Sequence, residues 1–197
     1  MSIKITGTGS IVPKIEEKNS NFINSNFYDT NGDEIKLDNT VIIEKFESIT
    51  GIKNRRYVKS DQKSSSIAVQ ASKIAIKDSC INKEEIDYII LAHNIGDITF
   101  NSNQVDALPS IASRVKAGLE IINPSCVAYD IIFGCPGWLE GVIQASAFIK
   151  SKMAKTCLVI GSETLSRVLD KSDRDSMIYA DGAGATIIQA SNQKGGI

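Results

Sequence analysis

The strongest constraint on the fold is an alternation of short apolar runs with amphipathic segments. Residues 86–92 are mostly apolar and rich in β-branched side chains, which is typical of a strand buried in a parallel sheet. Shorter runs at 127–132, 156–161 and 184–190 predict further strands. Because amphipathic segments separate these runs, the sequence predicts an α/β layered fold whose sheet is covered on both faces.

Helices are predicted where apolar residues recur at helical spacing. The first helix is predicted over residues 41–49 and ends before Gly51. A second helix is predicted to begin at Ser64–Ser66, which offer N-cap oxygens, and to end near Cys80. A third helix is predicted over 108–117, with Pro109 at its start and Gly118 just past its end. A fourth is predicted over 136–150, and its apolar side comprises Leu139, Val142, Ile143, Phe148 and Ile149.

In the N-terminal part of the chain, predicted strands and helices alternate less regularly. Residues 3–9 alternate apolar and small side chains and break at Pro13, which predicts a strand followed by a loop. Residues 14–40 are polar and rich in Asn and Asp, so we expect a loop on the surface with at most short helical segments. Residues 51–58 are expected to be extended.

Length and charge narrow the class of protein. The 197 residues suffice for one domain, expected over 1–197. The net charge is -1, which predicts no bulk attraction to nucleic acid or to an anionic membrane. The apolar runs fall far short of the roughly 20 residues that cross a bilayer, and the N-terminus lacks a signal-peptide core. We therefore expect a cytoplasmic protein.

The cysteines show no metal-binding pattern. They stand at 80, 126, 135 and 157 with no CxxC pair, and His93 is the only histidine. A zinc site is therefore not expected, and most of these thiols should be reduced and buried in the core.

Cys135 differs from the other cysteines in its position. A predicted strand runs into the turn Phe133-Gly134-Cys135, and the fourth predicted helix follows. Free backbone N–H groups and the helix dipole stabilise an anion at such a point, which favours a thiolate. Pro136 fixes its own φ and makes the turn rigid. Spacing alone leaves a catalytic and a structural role equally open for Cys135.

Several motifs in a fixed order resemble β-ketoacyl-[acyl carrier protein] synthase III. They are ITGTGS at 5–10, TGIKNR at 50–55, DIIFGCPGW at 130–138, VIGSETLSR at 159–167, SDRD at 172–175 and DGAGA at 181–185. The resemblance extends from Ile3 to about Ala190 and implies the N-terminal half of a thiolase-like fold, with a five-stranded mixed sheet. It also implies a homodimer in which Cys135 carries an acyl group as a thioester.

The same resemblance implies the reaction and its partners. The acyl group would come from acyl coenzyme A or an acyl carrier protein and be condensed with malonyl carried on acyl carrier protein. No metal or organic cofactor is implied. The family's catalytic His and Asn belong to a second repeat beyond Ile197, so we expect no complete condensation by these 197 residues.

Further site residues follow from the resemblance position by position. Leu108 stands where the family has an aromatic residue that closes the partner's acyl pocket, and Leu165 and Tyr179 match pocket-lining residues. Because Leu108 is smaller, we expect a roomier acyl pocket. Arg174 matches an arginine that stacks on the adenine of coenzyme A. The family's opposing tryptophan aligns with Lys45, and a second coenzyme A contact aligns with Ile49, so half of the stacking sandwich is missing.

Other motifs favour simpler interpretations. His93 matches no catalytic position and is interpreted as structural or surface. The Gly-rich stretch 181–185 lacks the context of a phosphate loop, which favours close backbone packing. Trp138 is expected in the core, and Arg55 with Arg56 is at least as consistent with a solvated pair as with a carrier-binding patch.

Two alternatives to this enzyme remain open. The first is a catalytically silent half-enzyme that acts as a structural or dimerisation partner. The second is a hydroxymethylglutaryl or polyketide-type synthase, which the Asp-Arg and Gly-rich motifs fit less well.

Overall fold

A computed structural model describes residues 2–102, 104–191 and 196 of the chain. The strands are β1 (Ser2–Ile11), β2 (Ile15–Lys18), β3 (Asn54–Tyr57), β4 (Tyr88–His93), β5 (Asp97–Ile98), β6 (Val105–Asp106), β7 (Val127–Ile132), β8 (Thr156–Thr164) and β9 (Asp181–Ser191). The α-helices are α1 (Asn39–Thr50), α2 (Ser64–Ser79), α3 (Ile111–Gly118) and α4 (Gly137–Lys150). Short 3₁₀ segments include Leu165–Arg167 and Arg174–Ile178.

The main sheet contains five strands in the order β1-β9-β8-β4-β7. β4 pairs in parallel with both β7 and β8, whereas β9 pairs antiparallel with β1 and β8. The predicted run at 86–92 contains most of β4, in which Tyr88 is partly buried and Ile89, Ile90 and Leu91 have no exposed surface. The expected five-stranded mixed sheet is therefore present.

Helices cover both faces of this sheet. On one face, α2 and α3 contribute Ile67 and Ile111 to an apolar cluster that includes Ile89 and Leu91 of β4. On the other face, Val142 of α4 packs in a second cluster with Ile90. Because successive side chains of a strand point to opposite faces, β4 contributes side chains to both clusters. A third cluster joins α1 to the 3₁₀ segment 174–178 through Phe46 and Met177.

Two glycines of β1 let that strand lie directly against α2. A Cβ added at Gly9 would be 2.2 Å from the carbonyl oxygen of Ala71, and one at Gly7 would be 2.3 Å from that of Ala75. Real side chains do not approach a backbone so closely, so the motif at 5–10 allows this packing of strand on helix.

The starts of two helices differ from the predictions. α3 begins at Ile111 rather than at 108, and Gly118 is its last residue. Ser110 caps this start, since its hydroxyl accepts from the N–H of Ser113. The Asp130 carboxylate of β7 also accepts hydrogen bonds from the N–H groups of Ile111 and Ala112 at 2.7 Å each. In α2, Ser64–Ser66 lie inside the first turn, and Lys63 is the N-cap.

Three further expectations differ from the structure: the surface loop over 14–40, the burial of the strand at 127–132 and the apolar side of α4. Within 14–40, β2 forms an antiparallel pair with β3, which the polar composition concealed. The strand at 127–132 lies at the edge of the sheet and is only partly buried. On α4, Leu139 and Ile143 are each 54% exposed, because the buried stripe is made by smaller residues such as Gly141 and Ala145.

Among the helices that the structure describes, not one combines the length and the apolar character needed to span a bilayer.

Candidate functional site

Cys135 lies in a tight connection between β7 and α4. The strand ends at Ile132, Pro136 is the N-cap of α4, and the helix begins at Gly137. The N–H of Gly137 donates a 2.8 Å hydrogen bond to the carbonyl of Gly134, which closes the turn. The Cys135 side chain is exposed just before the first turn of the helix, as the sequence pattern predicts.

The sequence enforces this turn through Gly137. A Cβ on Gly137 would be 2.8 Å from Cβ of Ala92 and 3.3 Å from Cβ of Phe133. Only glycine lets the first turn of α4 approach β4 so closely, and that approach holds Cys135 at the carboxyl end of the parallel strands.

The other cysteines lie in different surroundings. Cys126 and Cys157 are buried, and burial raises the pKa of both thiols, that of Cys157 to about 12. Cys80 is exposed but caps the C-terminal end of α2, where the helix dipole disfavours an anion. Cys135 alone combines exposure with the start of a helix.

Two polar residues that sequence reasoning missed lie beside the turn. Glu163 Oε2 accepts hydrogen bonds from the backbone N–H of Asn94 at 2.7 Å and from its side-chain Nδ2 at 2.8 Å. This leaves Asn94 Oδ1 facing Gly134, 3.7 Å from where a Cβ of that glycine would stand. Asn94 follows β4 and Glu163 lies near the end of β8, so the convergence of parallel strand ends was the available signal.

His93 takes no part in this cluster. Its side chain is 1% exposed, and Nε2 lies 3.0 Å from Asp130 Oδ2, the carboxylate that caps α3. Along β4, Ala92 faces Gly137 of α4, so the next residue, His93, points to the opposite face of the sheet. His93 is therefore a buried structural residue, in agreement with the sequence interpretation.

The Asp130 carboxylate is held in its ionised form. Burial would raise its pKa, but hydrogen bonds from His93 and from the N–H groups of Ala112 and Ile111 outweigh burial and lower the pKa. The carboxylate thus joins β7, β4 and α3 directly behind the turn that carries Cys135.

The three residues that align with coenzyme A contacts of the family lie close together. Lys45 and Ile49 of α1 and Arg174 of the 3₁₀ segment line one cavity of about 300 Å³. The remaining lining is mainly apolar and includes Val41, Phe46 and Ile178. The Arg174 guanidinium lies 3.5 Å from Asp175 Oδ1 and is about half exposed. The lining therefore includes two cations and the Asp175 carboxylate, but no indole ring for stacking.

The predicted acyl-pocket residues occupy loops around the sheet. Leu165 is half-buried at the start of a 3₁₀ segment, and Tyr179 is 43% exposed at the end of another. Asp181, buried at the start of β9, fixes the first of these loops by accepting from Ser166 N and Oγ and from Val58 N. Leu108 is 86% exposed in the loop before α3.

Other candidate residues have structural positions. Residues 181–185 form the beginning of β9 rather than a phosphate loop. Trp138 packs against the cluster under α4, and buried Arg55 donates to Asn19 Oδ1 at 2.6 Å. Within 2–102, 104–191 and 196, no group of three or more His, Cys, Asp or Glu side chains is arranged to hold a metal ion.

Comparisons with known proteins identify the relatives. The family model described as 3-oxoacyl-[acyl-carrier-protein (ACP)] synthase III matches residues 129–197. A β-ketoacyl-[acyl-carrier-protein] synthase III from Neisseria gonorrhoeae is 36% identical over 98% of this chain and 53% of the relative. This chain resembles β-ketoacyl-[acyl-carrier-protein] synthase III. The resemblance inferred from the ordered motifs is thereby confirmed.

Further β-ketoacyl-[acyl-carrier-protein] synthases III agree in sequence and in structure. The Rhodospirillum rubrum protein is 34% identical over 97% of this chain and 52% of its own length. The crystal structure of the Aquifex aeolicus protein superposes with a TM-score of 0.76 at 33% identity, covering 98% of this chain and 55% of that one. The chain thus spans about half the length of these relatives, and its fold is thiolase-like.

Proposed function

We propose that this chain carries the nucleophile of a β-ketoacyl-[acyl-carrier-protein] synthase III-type acyltransferase, in fatty acid, related lipid or polyketide biosynthesis. The observation that carries the proposal is the exposed Cys135 thiol at the start of α4, in a chain that is 36% identical to such a synthase. Cys80 is exposed but lies at the end of α2, and Cys126 and Cys157 are buried.

The first step is transfer of an acyl group to sulfur. The Cys135 thiolate attacks the carbonyl carbon of an acyl thioester, and a new C–S bond forms. The C–S bond to the carrier then breaks, and the carrier leaves as a thiolate that takes up a proton. The start of α4 stabilises the attacking anion through its unpaired N–H groups.

The second step is condensation with malonyl on acyl carrier protein. Loss of carbon dioxide from malonyl leaves an enolate, whose carbon attacks the acyl thioester and releases the Cys135 thiolate. The family's catalytic His and Asn stabilise this enolate by hydrogen bonds, and they belong to the half of the relatives that this chain does not span. No metal or organic cofactor enters the proposed reaction.

The substrate-binding roles follow the resemblance. Leu108, Leu165 and Tyr179 are proposed to line the acyl pocket. Arg174 is proposed to bind the carrier end, in the cavity that it shares with Lys45 and Ile49. Two cations suit the phosphates of coenzyme A or the acidic surface of a carrier protein, whereas the lack of an indole weakens adenine stacking.

We also propose a cytoplasmic homodimer. Four cysteines without disulfides support a reducing compartment. The position of β7 at the edge of the main sheet and the exposed Ile132 and Leu108 support an interface with a second copy.

The experiment measures acyl loading directly. The protein is incubated with acetyl and longer acyl coenzyme A thioesters, and release of free coenzyme A is followed together with the intact mass. The wild type should gain one acyl mass, Cys135→Ser should gain none, and the matched exposed control Cys80→Ser should behave as the wild type. Equal loading of wild type and Cys135→Ser would refute the proposal, and no loading of either would favour a silent half-enzyme.

A further inference from the structure

Arg114 of α3 binds the loop that precedes its own helix. Its Nη1 donates to Asp97 Oδ2 at 3.1 Å and to Asp106 Oδ2 at 2.8 Å. Its Nη2 donates to Asp106 Oδ1 at 2.5 Å and to the Leu108 carbonyl at 3.1 Å, and Nε donates to the Pro109 carbonyl at 3.0 Å. One planar guanidinium therefore holds β5, β6 and the carbonyls of Leu108 and Pro109, which precede the N-cap Ser110 of α3.

The anchor of this arrangement is buried. The Asp97 side chain is 1% exposed and also accepts from Ser65 N at 2.8 Å and Ser65 Oγ at 2.6 Å, in the first turn of α2. Asp106 is about half exposed, and its hydrogen bonds to Arg114 lower the pKa of its carboxyl. The loop is thus tied through Arg114 to the rigid helical layer on one side of the sheet.

Leu108 projects from this fixed backbone into solvent. Its carbonyl is bound by Arg114, while 86% of the residue is exposed. An apolar side chain on a backbone that is already ordered can contact a partner without a further loss of backbone entropy. The hydrogen bonds therefore present Leu108 for contact rather than cover it.

We propose that Arg114 is a positioning residue that sets which acyl chains are accepted, by holding the backbone of Leu108. The inference rests on the proposed function, in which Leu108 closes an acyl pocket. Arg114 touches neither the acyl group nor Cys135 in this proposal. Its effect is transmitted through the carbonyls of Leu108 and Pro109 and through Asp106.

The test compares acyl-chain selectivity on the full protein. Short and long acyl coenzyme A thioesters compete for loading, and the two Cys135 adducts are quantified by mass spectrometry. The variants are Arg114→Gln, Leu108→Ala, the double variant, and Lys116→Gln as a control. Lys116 lies on the same helix and donates to the Cys126 carbonyl, away from the loop.

The proposal predicts a change in the ratio of the adducts. Arg114→Gln should shift the ratio about tenfold in the same direction as Leu108→Ala. The double variant should add little to this shift, because both substitutions remove the same apolar contact of Leu108. Lys116→Gln should keep the wild-type ratio. Asp106→Asn removes only the half-exposed part of the arrangement, so it should fold and give a smaller shift of the same sign.

Two outcomes would overturn the inference in different ways. If Arg114→Gln and Asp106→Asn slow the loading of all chain lengths equally, or leave it unchanged, then Arg114 is only structural and the proposed acyltransferase stands. If the wild type loads no acyl chain at all, the proposed function fails and this inference fails with it.

Discussion

At the scale of single residues, the four cysteines offer a direct comparison within one chain. Cys135 stands before the first turn of α4, whereas Cys80 is the C-cap of α2, and both are exposed. The helix dipole stabilises the negative charge of the reacting sulfur at the first position and destabilises it at the second. With iodoacetamide at neutral pH, Cys135 should be alkylated about threefold faster than Cys80. Equal rates, measured by peptide mass spectrometry, would contradict this assignment.

In that experiment the buried thiols provide an internal control. Cys126 and Cys157 should stay unmodified until the protein is unfolded, because burial both shields them and raises their pKa. Modification of either in the folded protein would show that the sheet opens locally.

Asp130 is a second residue whose role can be measured, through the pH dependence of stability. Because its pKa is lowered in the fold, its ionised form stabilises the protein above the unfolded value of about 3.9, and this contribution is lost as the pH falls through the folded value. Asp130→Asn should cost about 2 kcal/mol at pH 7, since two backbone N–H groups and His93 lose a charged acceptor.

The measurement is urea unfolding of both proteins at several pH values. The difference in free energy of unfolding between wild type and Asp130→Asn should be constant above pH 5 or so and shrink as the pH falls below about 4. A difference that does not vary with pH would contradict a role for the charge.

At the scale of elements, the contact of β1 with α2 depends on glycine. Gly9→Ala would place a methyl group 2.2 Å from the Ala71 carbonyl oxygen, so the helix must move or the strand must bend. We expect a loss of at least about 2 kcal/mol in unfolding free energy. Gly184→Ala is the matched control, because a Cβ there has no atom within 4 Å among the described residues. Thermal unfolding of both variants checks this, and equal melting temperatures would contradict it.

The buried face of α4 can be tested in the same way. Val142 is 4% exposed and Leu139 is 54% exposed on the same helix. Val142→Glu buries an unpaired carboxylate and should cost about 3 kcal/mol or more, whereas Leu139→Glu should leave stability nearly unchanged. Circular dichroism during denaturation distinguishes the two, and similar losses would mean that both faces of α4 are core.

The element pattern was predictable where periodicity is strong. The run at 86–92, the strand at 127–132 and the end of α2 near Cys80 follow from local apolar spacing and turn residues. The start of α3 was missed although Ser110 is a local N-cap, and the Asp130 carboxylate that also binds its first N–H groups comes from a distant strand. The exposure of Leu139 and Ile143 was not predictable either, since Gly141 and Ala145 make the closer contact with the sheet.

At the scale of the whole molecule, the proposed nucleophile was found from the sequence, whereas the side chains beside it depend on which strands are neighbours. The strand-turn-helix pattern and the ordered motifs single out Cys135 because each is local in the chain. Asn94 and Glu163 meet beside it only because β4 and β8 are neighbours in the sheet. Arg114 likewise reaches Asp97 and Asp106 through the folding back of a loop, which no spacing rule predicts.

The sulfur of Cys135 is the proposed site of acyl attachment. The most direct measurement is peptide mapping of the protein after incubation with an acyl coenzyme A thioester, with the position of the adduct read from fragment masses. We predict a hydroxylamine-sensitive acyl mass at Cys135 and none at Cys80, Cys126 or Cys157. An adduct on another residue, with Cys135 unmodified, would contradict it.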